Sequence, residues 1–301
     1  MQSHHLPPLV VILGPTASGK SALGIVLAHR FQGEIVSADS RQVYRGMDIG
    51  TAKVTSEERA LVPHHLLDVA DPRDTYTVSQ FQRQAIAAIN DILARKRQPF
   101  LVGGSPHYIQ TIVDHLDIPP VPPHPALRAE LEARPLADLL LQLEELDPQS
   151  AATIDRQNPR RVIRALEVCL VTGQPFSRQR GVAAPLYRSL LLGISWPRAI
   201  LYQRINARVD ERIQQGMMQE VRDLLHQGIG HERLESLGLE YRFISRLLRG
   251  EFASEAEMVE HLKYAIHDFT RRQLSWFRKD RRITWLEGDD QQRAGKMISE
   301  F

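Results

Sequence analysis

PLVVILGPTASGKS, residues 8–21, joins an apolar run to the pattern G-x-x-x-x-G-K-[ST]. A short apolar run that ends at a glycine-rich turn predicts a buried β-strand, and residues 21–30 have the pattern of a helix. A turn between a strand and a helix directs backbone N–H groups around a phosphate, and the helix N-terminus adds partial positive charge. The stretch therefore predicts an α/β protein whose first loop binds a phosphate or a pyrophosphate.

This loop supplies the first predicted ligand-binding residues. We expect Lys20 to reach the terminal phosphate and the Ser21 hydroxyl to hold Mg²⁺. The motif alone does not distinguish a nucleoside triphosphate from another pyrophosphate. The predicted phosphate-binding residues are Gly14, Pro15, Thr16, Ala17, Ser18, Gly19, Lys20 and Ser21.

Strand patterns alternate with helical patterns after the loop. Strands are predicted over residues 34–38, 65–69 and 100–102, and the strand pattern returns near Leu190. The helix predicted over 78–92 has apolar residues spaced by three and four, so they share one face. This alternation favours a parallel sheet covered by helices on both faces.

The character of the chain changes at residues 117–125, DIPPVPPHP, where five prolines predict a connector. The patterns that follow are helical, and one of them begins with Asn158 as N-cap and Pro159 as first residue and ends at Gly173. The predicted domains are a P-loop NTPase-like α/β core over residues 1–116 and 188–301 and a mostly helical insertion over residues 117–187.

Composition limits the classes of protein that fit. The 38 basic and 36 acidic residues nearly cancel, so any basic surface must come from local clustering. A single cysteine, Cys169, excludes an intramolecular disulfide, and adjacent strand residues such as His64 and His65 point to opposite faces, so no zinc site is predicted. Without a secretory signal or an apolar run of the ~20 residues that span a bilayer, we expect a cytoplasmic protein with no membrane partner. Nothing in the sequence demands more than a monomer.

Polar residues follow two predicted strands where a parallel sheet binds ligands, beyond the carboxyl ends of the strands. Asp39 follows the second strand, and Ser105 follows Gly103-Gly104 after a later strand. A carboxylate at this edge binds Mg²⁺ or accepts a proton from a nucleophile. The alternative roles are structural: Asp39 as an N-cap and Ser105 as a turn residue.

Two groups of arginines are candidates for binding anions. Arg204, Arg208 and Arg212 recur every four residues in a helix predicted over 199–227, so they share one face, which is typical of a solvated charged surface or of an anion site. A second group lies in the first turns of the helix after Asn158, where positive charge opposes the helix dipole and indicates an anionic partner. Its members are Arg160, Arg161 and Arg164.

A third basic stretch, Arg271–Arg282, interleaves Trp276 and Phe277 with six basic residues. Such a stretch either binds phosphates or places its aromatic residues in the core and its arginines in solvent, and the sequence leaves both possibilities open.

Six blocks of the sequence resemble the tRNA dimethylallyltransferases. They occur in the order found in that family and span nearly the whole chain, and the second block is far more specific than the phosphate loop. The blocks are GPTASGKS (14–21), SADSRQVYRGMDIGTAK (37–53), HHLLDVADP (64–72), VGGSPHYIQ (102–110), NPRRVIRALEV (158–168) and RRQLSWFR (271–278).

The resemblance implies transfer of a dimethylallyl group from dimethylallyl pyrophosphate to N6 of the anticodon-adjacent adenosine, position 37, of tRNA. It implies that the phosphate loop binds the donor pyrophosphate, that Asp39 is the general base, and that Arg208 binds the pyrophosphate. Ser105 stands where most members have a threonine that hydrogen-bonds the aspartate and the reacting centre. Pro106 and His107 also depart from the family pattern.

The resemblance further implies contacts with the tRNA anticodon stem-loop, which the insertion is expected to clamp. The implied tRNA-binding residues are Asp39, Ser40, Arg41, Gln42, Ser105, Arg128, Arg160, Arg161, Val162, Ile163 and Arg164. Three other functions also fit a P-loop protein with these features. They are a small-molecule kinase that uses ATP, a prenyltransferase acting on free AMP, ADP or ATP, and a non-catalytic RNA-binding module.

Overall fold

A computed structural model describes residues 6–179 and 181–301. Its main sheet is six-stranded and parallel, with the strand order β3-β2-β4-β1-β7-β8. A second, two-stranded antiparallel sheet pairs β5 with β6. The strands are β1 (Pro8–Leu13), β2 (Glu34–Ser37), β3 (His64–His65), β4 (Pro99–Gly103), β5 (Leu116–Asp117), β6 (Gly181–Val182), β7 (Arg188–Ser195) and β8 (Thr284–Glu287).

The helices cover both faces of the main sheet and form most of the segment between β5 and β6. They are α1 (Lys20–Arg30), α2 (Ser56–Leu61), α3 (Val78–Ala94), α4 (Pro106–Val113), α5 (Pro125–Glu132), α6 (Leu136–Leu146), α7 (Pro148–Thr153), α8 (Pro159–Thr172), α9 (Arg198–Gln214), α10 (Met217–His226), α11 (His231–Leu237), α12 (Leu239–Leu248), α13 (Glu255–Phe277) and α14 (Gln291–Glu300).

The central strand β1 shows why an apolar run folds in this way. Its side chains alternate between the two faces of the sheet, as strand geometry requires. Leu9, Val11 and Leu13 pack against α3 and α4, whereas Val10 and Ile12 pack against α1 and α14. Because both faces are buried, the strand tolerates no polar side chain, and its carboxyl end delivers the phosphate loop to the edge of the sheet.

The strand order reverses at β1. From β1 the chain builds β2 and β3 on one side and returns to β4, and it later adds β7 and β8 on the other side. Ligands of open α/β sheets bind beyond the carboxyl ends of the strands at such a switch point. The fold therefore directs attention to the loops that follow β1, β2 and β4.

The predicted α/β fold class is confirmed, but several element boundaries were wrong. The single helix expected over 199–227 is two helices, α9 and α10, because Gly216 has a φ of +101° and ends the helical path. The strand expected over 65–69 is only β3, since Leu66 and Asp68 adopt positive φ angles that break the extended backbone. Asn158 occupies the N-cap position of α8, but its side chain makes no capping hydrogen bond.

The chain divides into two compact units. One contains the residues up to Val113 together with Leu186–Phe301, and the other is Asp114–Pro185. The second unit has its own apolar core, formed by residues of α5, α6, α7 and α8, including Leu131, Leu139 and Leu166. Within the described residues, every helix is too short or too polar to span a bilayer.

Candidate active site

A polar cavity lies beyond the carboxyl ends of β1, β2 and β4. It unites residues of the phosphate loop with Asp39 and Arg208, which are far apart in the sequence. Its walls are Thr16, Lys20, Ser21, Asp39, Gln42, Thr51, Val102, Gly103, Arg208 and Arg212. The sequence predicted six of these ten residues as ligand-binding. The other four are Thr51 in the loop after Asp39, Val102 and Gly103 at the end of β4, and Arg212 one turn after Arg208 on α9.

Two glycines permit the backbone to close around this cavity. Gly19 has a φ of +95° and directly precedes α1, a conformation that side-chain-bearing residues rarely adopt. At Gly103 a Cβ atom would lie 2.2 Å from the carbonyl oxygen of Ala38, so any larger residue would separate the ends of β2 and β4. That separation would move Asp39 away from the loop.

Side chains from distant segments fix the phosphate loop. Trp196 Nε1 donates to the Ser18 carbonyl at 2.8 Å, and Arg204 Nε donates to the Ala17 carbonyl at 2.9 Å. The Arg204 guanidinium also stacks on Trp196, 4.7 Å from the ring centroid. Arg204 is therefore a structural support of the loop, whereas Arg208, one turn further along α9, lines the cavity.

Gln273 is a second support that sequence reasoning missed. Its Oε1 accepts from the Thr16 amide at 3.0 Å, and its Nε2 donates to the Gly104 carbonyl at 2.7 Å. The residue is only 4% exposed. It therefore joins the phosphate loop to the loop after β4 through α13. Its position inside the RRQLSWFR block was the available signal.

The loop after Asp39 is held by a partly buried acidic side chain, Glu220. The Glu220 carboxylate accepts from the amides of Asp48 and Ile49, at 2.8 and 2.7 Å, and from the Gly50 amide at 3.0 Å. The Tyr241 hydroxyl donates to the same carboxylate at 2.8 Å. Backbone amides of the DIGTAK stretch thus form the binding site for one carboxylate, and Thr51 of the same stretch lines the cavity.

Asp39 and Ser105 lie at neighbouring strand ends, as predicted, but their recorded contacts differ from the expectation. One Asp39 oxygen accepts from the Arg41 amide at 2.8 Å, which forms a turn and is not the N-cap role weighed from the sequence, since no helix follows. Ser105 Oγ accepts from the Ser40 amide at 3.0 Å. The serine hydroxyl therefore positions the residue after Asp39. Pro106 opens α4, so the departure from the family pattern at this point is compatible with a regular helix start.

Positive charge dominates the cavity. Burial, together with the nearby Arg208 and Arg212, lowers the pKa of Lys20 to about 8, although the Asp39 carboxylate opposes this effect. Burial and Arg212 also lower the pKa of Arg208 to about 10. Cations crowded in this way are destabilised by one another, and a bound anion would relieve the repulsion. The electrostatics therefore favour a ligand with several negative charges.

The chemistry of the cavity fits a phosphate-bound magnesium ion better than a metal held by protein alone. Ser21, Thr16 and Asp39 offer hard oxygen donors, but only one of them is a carboxylate. Mg²⁺ commonly uses one or two carboxylates and completes its shell with phosphate oxygens and water. Across residues 6–179 and 181–301, no group of three or more His, Cys, Asp or Glu side chains is arranged to hold a metal.

The predicted nucleic-acid residues of the second unit fall into two environments. Arg128 and Arg164 bind the buried Glu167 carboxylate, at 2.8 and 2.6 Å, and hold its pKa at about 2 against the opposing effect of burial. The side chains of Val162 and Ile163 are buried in the unit's core, so only their backbone is available for a contact. Arg160 and Arg161 are exposed.

In the basic stretch Arg271–Arg282, the structure shows part of the core-packing alternative weighed from the sequence. Phe277 is buried in the core, whereas Trp276 is 39% exposed. Arg271 forms an ion pair with Asp268, and Arg282 forms one with Asp280. Core packing thus accounts for Phe277, and ion pairs at the surface account for Arg271 and Arg282.

A glycine-rich loop between β1 and α1, a converging set of cations and one carboxylate define a P-loop protein that binds phosphate groups on a parallel sheet. The model of the family described as IPP transferase matches residues 42–280. The chain belongs to this family. The family predicted from the resemblance of the sequence blocks is therefore confirmed.

Relatives and solved structures agree with this assignment. A tRNA dimethylallyltransferase of Thermomicrobium roseum is 46% identical over 93% of this chain and 86% of its own length, and one of a Roseiflexus species is 45% identical over 98% of both. A tRNA isopentenylpyrophosphate transferase structure from Bacillus halodurans superposes with a TM-score of 0.73 at 36% identity, covering 97% of this chain and 96% of that one. A eukaryotic dimethylallyltransferase acting on tRNA gives a TM-score of 0.82 at 26% identity over 98% and 80% of the two chains.

Proposed function

We propose that this enzyme transfers a dimethylallyl group from dimethylallyl pyrophosphate to N6 of the anticodon-adjacent adenosine, position 37, of tRNA. The observation that carries the proposal is the cavity in which Asp39 faces Lys20 and Arg208 beside the phosphate loop. The membership of the chain in the IPP transferase family and the activity for which its relatives are named support the same reaction.

The proposed reaction breaks the allylic C–O bond and forms a bond from the same carbon to the adenine N6. The adenine amine is a poor nucleophile because its lone pair is delocalised, so most of the rate acceleration must come from stabilising the departing pyrophosphate. Lys20, Arg208 and the loop amides supply positive charge for it. Asp39 accepts the proton that the amine loses.

Magnesium fits the donor side of this cavity. We propose that the Ser21 hydroxyl and pyrophosphate oxygens hold Mg²⁺, which would neutralise part of the charge on the leaving group. The protein residues still have to orient that group, and the supports of the phosphate loop, Trp196 and Gln273, do so by fixing the loop backbone.

We propose that the insertion, residues 117–187, is the tRNA-binding domain. Its exposed Arg160 and Arg161 would bind backbone phosphates, and Arg128 and Arg164 would contact the RNA with the part of each guanidinium that Glu167 leaves accessible. Ser40, Arg41, Gln42 and Ser105 lie next to Asp39 and would contact the target nucleotide. Because one chain supplies the whole cavity, we propose that the protein acts as a monomer. We also propose that it meets its tRNA substrate in the cytoplasm.

The test incubates purified protein with dimethylallyl pyrophosphate and Mg²⁺, together with unmodified tRNA, AMP or no acceptor. We expect prenylated adenosine in tRNA, release of pyrophosphate and no requirement for ATP. Modification of AMP but not of tRNA would support the free-nucleotide enzyme, and consumption of ATP with phosphate transfer would support a kinase. Either outcome would refute the proposal.

A further inference from the structure

Arg212 is a buried cation in the cavity wall that the reaction described above does not use. It lies one helical turn after Arg208 on α9 and is only 6% exposed. It lines the same cavity as Lys20, Ser21 and Asp39. A guanidinium this deeply buried needs partners for its N–H groups, because an unmet hydrogen bond of a buried charged group is costly.

The contacts of Arg212 satisfy only part of its donor set. Its Nη1 donates to the Gly50 carbonyl at 3.1 Å and to Glu240 Oε1 at 2.9 Å. Its Nε–H is buried and has no hydrogen-bond partner among the described residues. A side chain that served only to hold the loop at Gly50 would not need to leave this group unmet.

The surroundings of Arg212 indicate which ligand the unmet group would take. Lys20 and Arg208, its neighbours in the cavity, are both cations whose pKa values Arg212 lowers by repulsion. Apposing three cations is unfavourable unless a polyanion binds between them. Guanidinium groups bind phosphate oxygens with two parallel hydrogen bonds, which suits a pyrophosphate.

We propose that Arg212 is a second guanidinium ligand of the pyrophosphate group, acting with Arg208, and that Glu240 is its resident counter-ion. The proposal rests on the proposed function for the identity of the donor, but its ligand, a pyrophosphate, is tested directly. Glu240 competes with the ligand for Arg212 and places negative charge near the cavity. The two partners of this ion pair therefore have opposite effects on anion affinity.

The experiment measures binding of inorganic pyrophosphate with Mg²⁺ to the full chain by titration calorimetry. Arg212→Met keeps the apolar length of the side chain and removes its charge, and we expect it to weaken binding about 10- to 100-fold, the range typical of a lost hydrogen bond to a charged group. Arg212→Lys keeps the charge without the Nε–H, so its loss should be smaller. Glu240→Gln should tighten binding, because it removes a competing negative charge.

A matched control is Arg198→Met, which makes the same replacement on the same helix at an exposed arginine stacked on Tyr202, outside the cavity. We expect its pyrophosphate affinity to equal that of the unmodified chain. If Arg212 had only a structural role, Arg212→Met and Glu240→Gln would weaken binding in the same direction, and that result would overturn the proposal. Should Arg212→Met fail to fold, the direction of the Glu240→Gln effect and the loss in Arg212→Lys decide the question.

Steady-state prenyl transfer separates this proposal from the proposed function. A chain that modifies tRNA but whose Arg212→Met variant binds pyrophosphate normally would refute only the role of Arg212. If Arg212→Met weakens pyrophosphate binding but the unmodified chain transfers no prenyl group to tRNA, only the proposed function is refuted.

Discussion

The core cavity and helix α8 both carry arginines at helical spacing, but the structure gives the two sets opposite environments. In the cavity, the buried Arg212 and the half-buried Arg208 converge with Lys20 on one small volume. On α8, Arg160 and Arg161 are exposed, and Arg164 is occupied by Glu167. Crowded buried cations suit a compact, highly charged ligand, whereas spaced exposed cations suit an extended polyanion. Sequence spacing alone does not separate these two cases.

The largest effect that would test this contrast is expected at Asp39. Asp39→Ala removes the proposed proton acceptor, so we expect kcat to fall by about 10²- to 10⁴-fold, the range usual for a general base. Binding of tRNA should persist, because the exposed arginines of α8 remain. Single-turnover kinetics together with a filter-binding assay measure the two quantities.

Asp71→Ala is the matched control, since Asp71 contacts Arg73 and Arg45 and is not among the cavity-lining residues. It should retain full turnover. If Asp39→Ala lost tRNA binding with little change in turnover of bound substrate, Asp39 would be a positioning residue, and the division of labour between the two regions would fail.

Lys20 offers the next largest effect and a pH signature. Its pKa of about 8 means that the amine loses its charge as the pH rises through 8. Pyrophosphate affinity should therefore fall between pH 7 and pH 9, and Lys20→Met should bind weakly with a flatter profile over this interval. Titration calorimetry at several pH values measures both. A pH dependence unchanged in Lys20→Met would assign the titration to another group.

The same shift has a consequence for stability. The folded-state pKa of Lys20 is depressed below its ordinary value, so the folded protein binds fewer protons than the unfolded chain between about pH 8 and pH 10.5. Holding Lys20 charged thus costs stability below pH 8, and this cost disappears as the pH rises. Without pyrophosphate, Lys20→Met should raise the melting temperature at pH 7 and have less effect at pH 10. If Lys20→Met instead lowered the melting temperature at pH 7, the claim that repulsion among the cavity cations destabilises the folded protein would be wrong.

A smaller effect is expected for the exposed pair on α8. Arg160→Ala with Arg161→Ala should raise the KM for tRNA and reduce the slope of log affinity against log salt by roughly 1 to 2, since each lost phosphate contact removes about one unit. The KM for the prenyl donor should not change. Lys296→Ala, which also removes an exposed cation, is the control. An altered KM for the prenyl donor in the double variant would show that the α8 arginines also affect donor binding, which contradicts the separate roles of the two regions.

The smallest effect concerns the arginines of the second unit that bind Glu167. The pKa of this carboxyl is depressed to about 2, so its contribution to stability is complete above its ordinary pKa near 4.5 and is lost as the pH falls towards 2. Glu167→Gln should therefore lower the melting temperature at pH 7 more than at pH 3. Thermal unfolding followed by circular dichroism measures this. An equal loss at both values would show that packing, and not charge, holds Glu167.

Sequence reasoning located the phosphate loop, Asp39 and Arg208 because each depends on local pattern or on a specific block. Short-range rules of periodicity and capping were enough to predict β1, the helix over 78–92 and the helix end at Gly173. The break at Gly216 was missed because apolar spacing continues through it, and a glycine inside a helical pattern is not by itself a stop signal.

Other features could not be read from spacing because they depend on contacts across the fold. In the sequence, Glu220 cannot be told from any other glutamate of a helix. Only the folded structure shows that it accepts from three successive loop amides. The difference between Arg204 and Arg212 has the same origin. Both lie on the predicted face of α9, but they have different partners. Arg204 stacks on Trp196, whereas Arg212 donates to Glu240 and to the Gly50 carbonyl in the cavity wall.

The hydrogen bond between Gln273 and the Thr16 amide spans 257 positions of the chain. During synthesis the phosphate loop leaves the ribosome early, but the residue that fixes its backbone follows more than two hundred translation steps later. At the usual ~5–20 residues per second, this interval lasts roughly 10 to 50 seconds. Through that period the nascent loop lacks its α13 support, so the growing chain would be a poor ligand for pyrophosphate until the helix is complete.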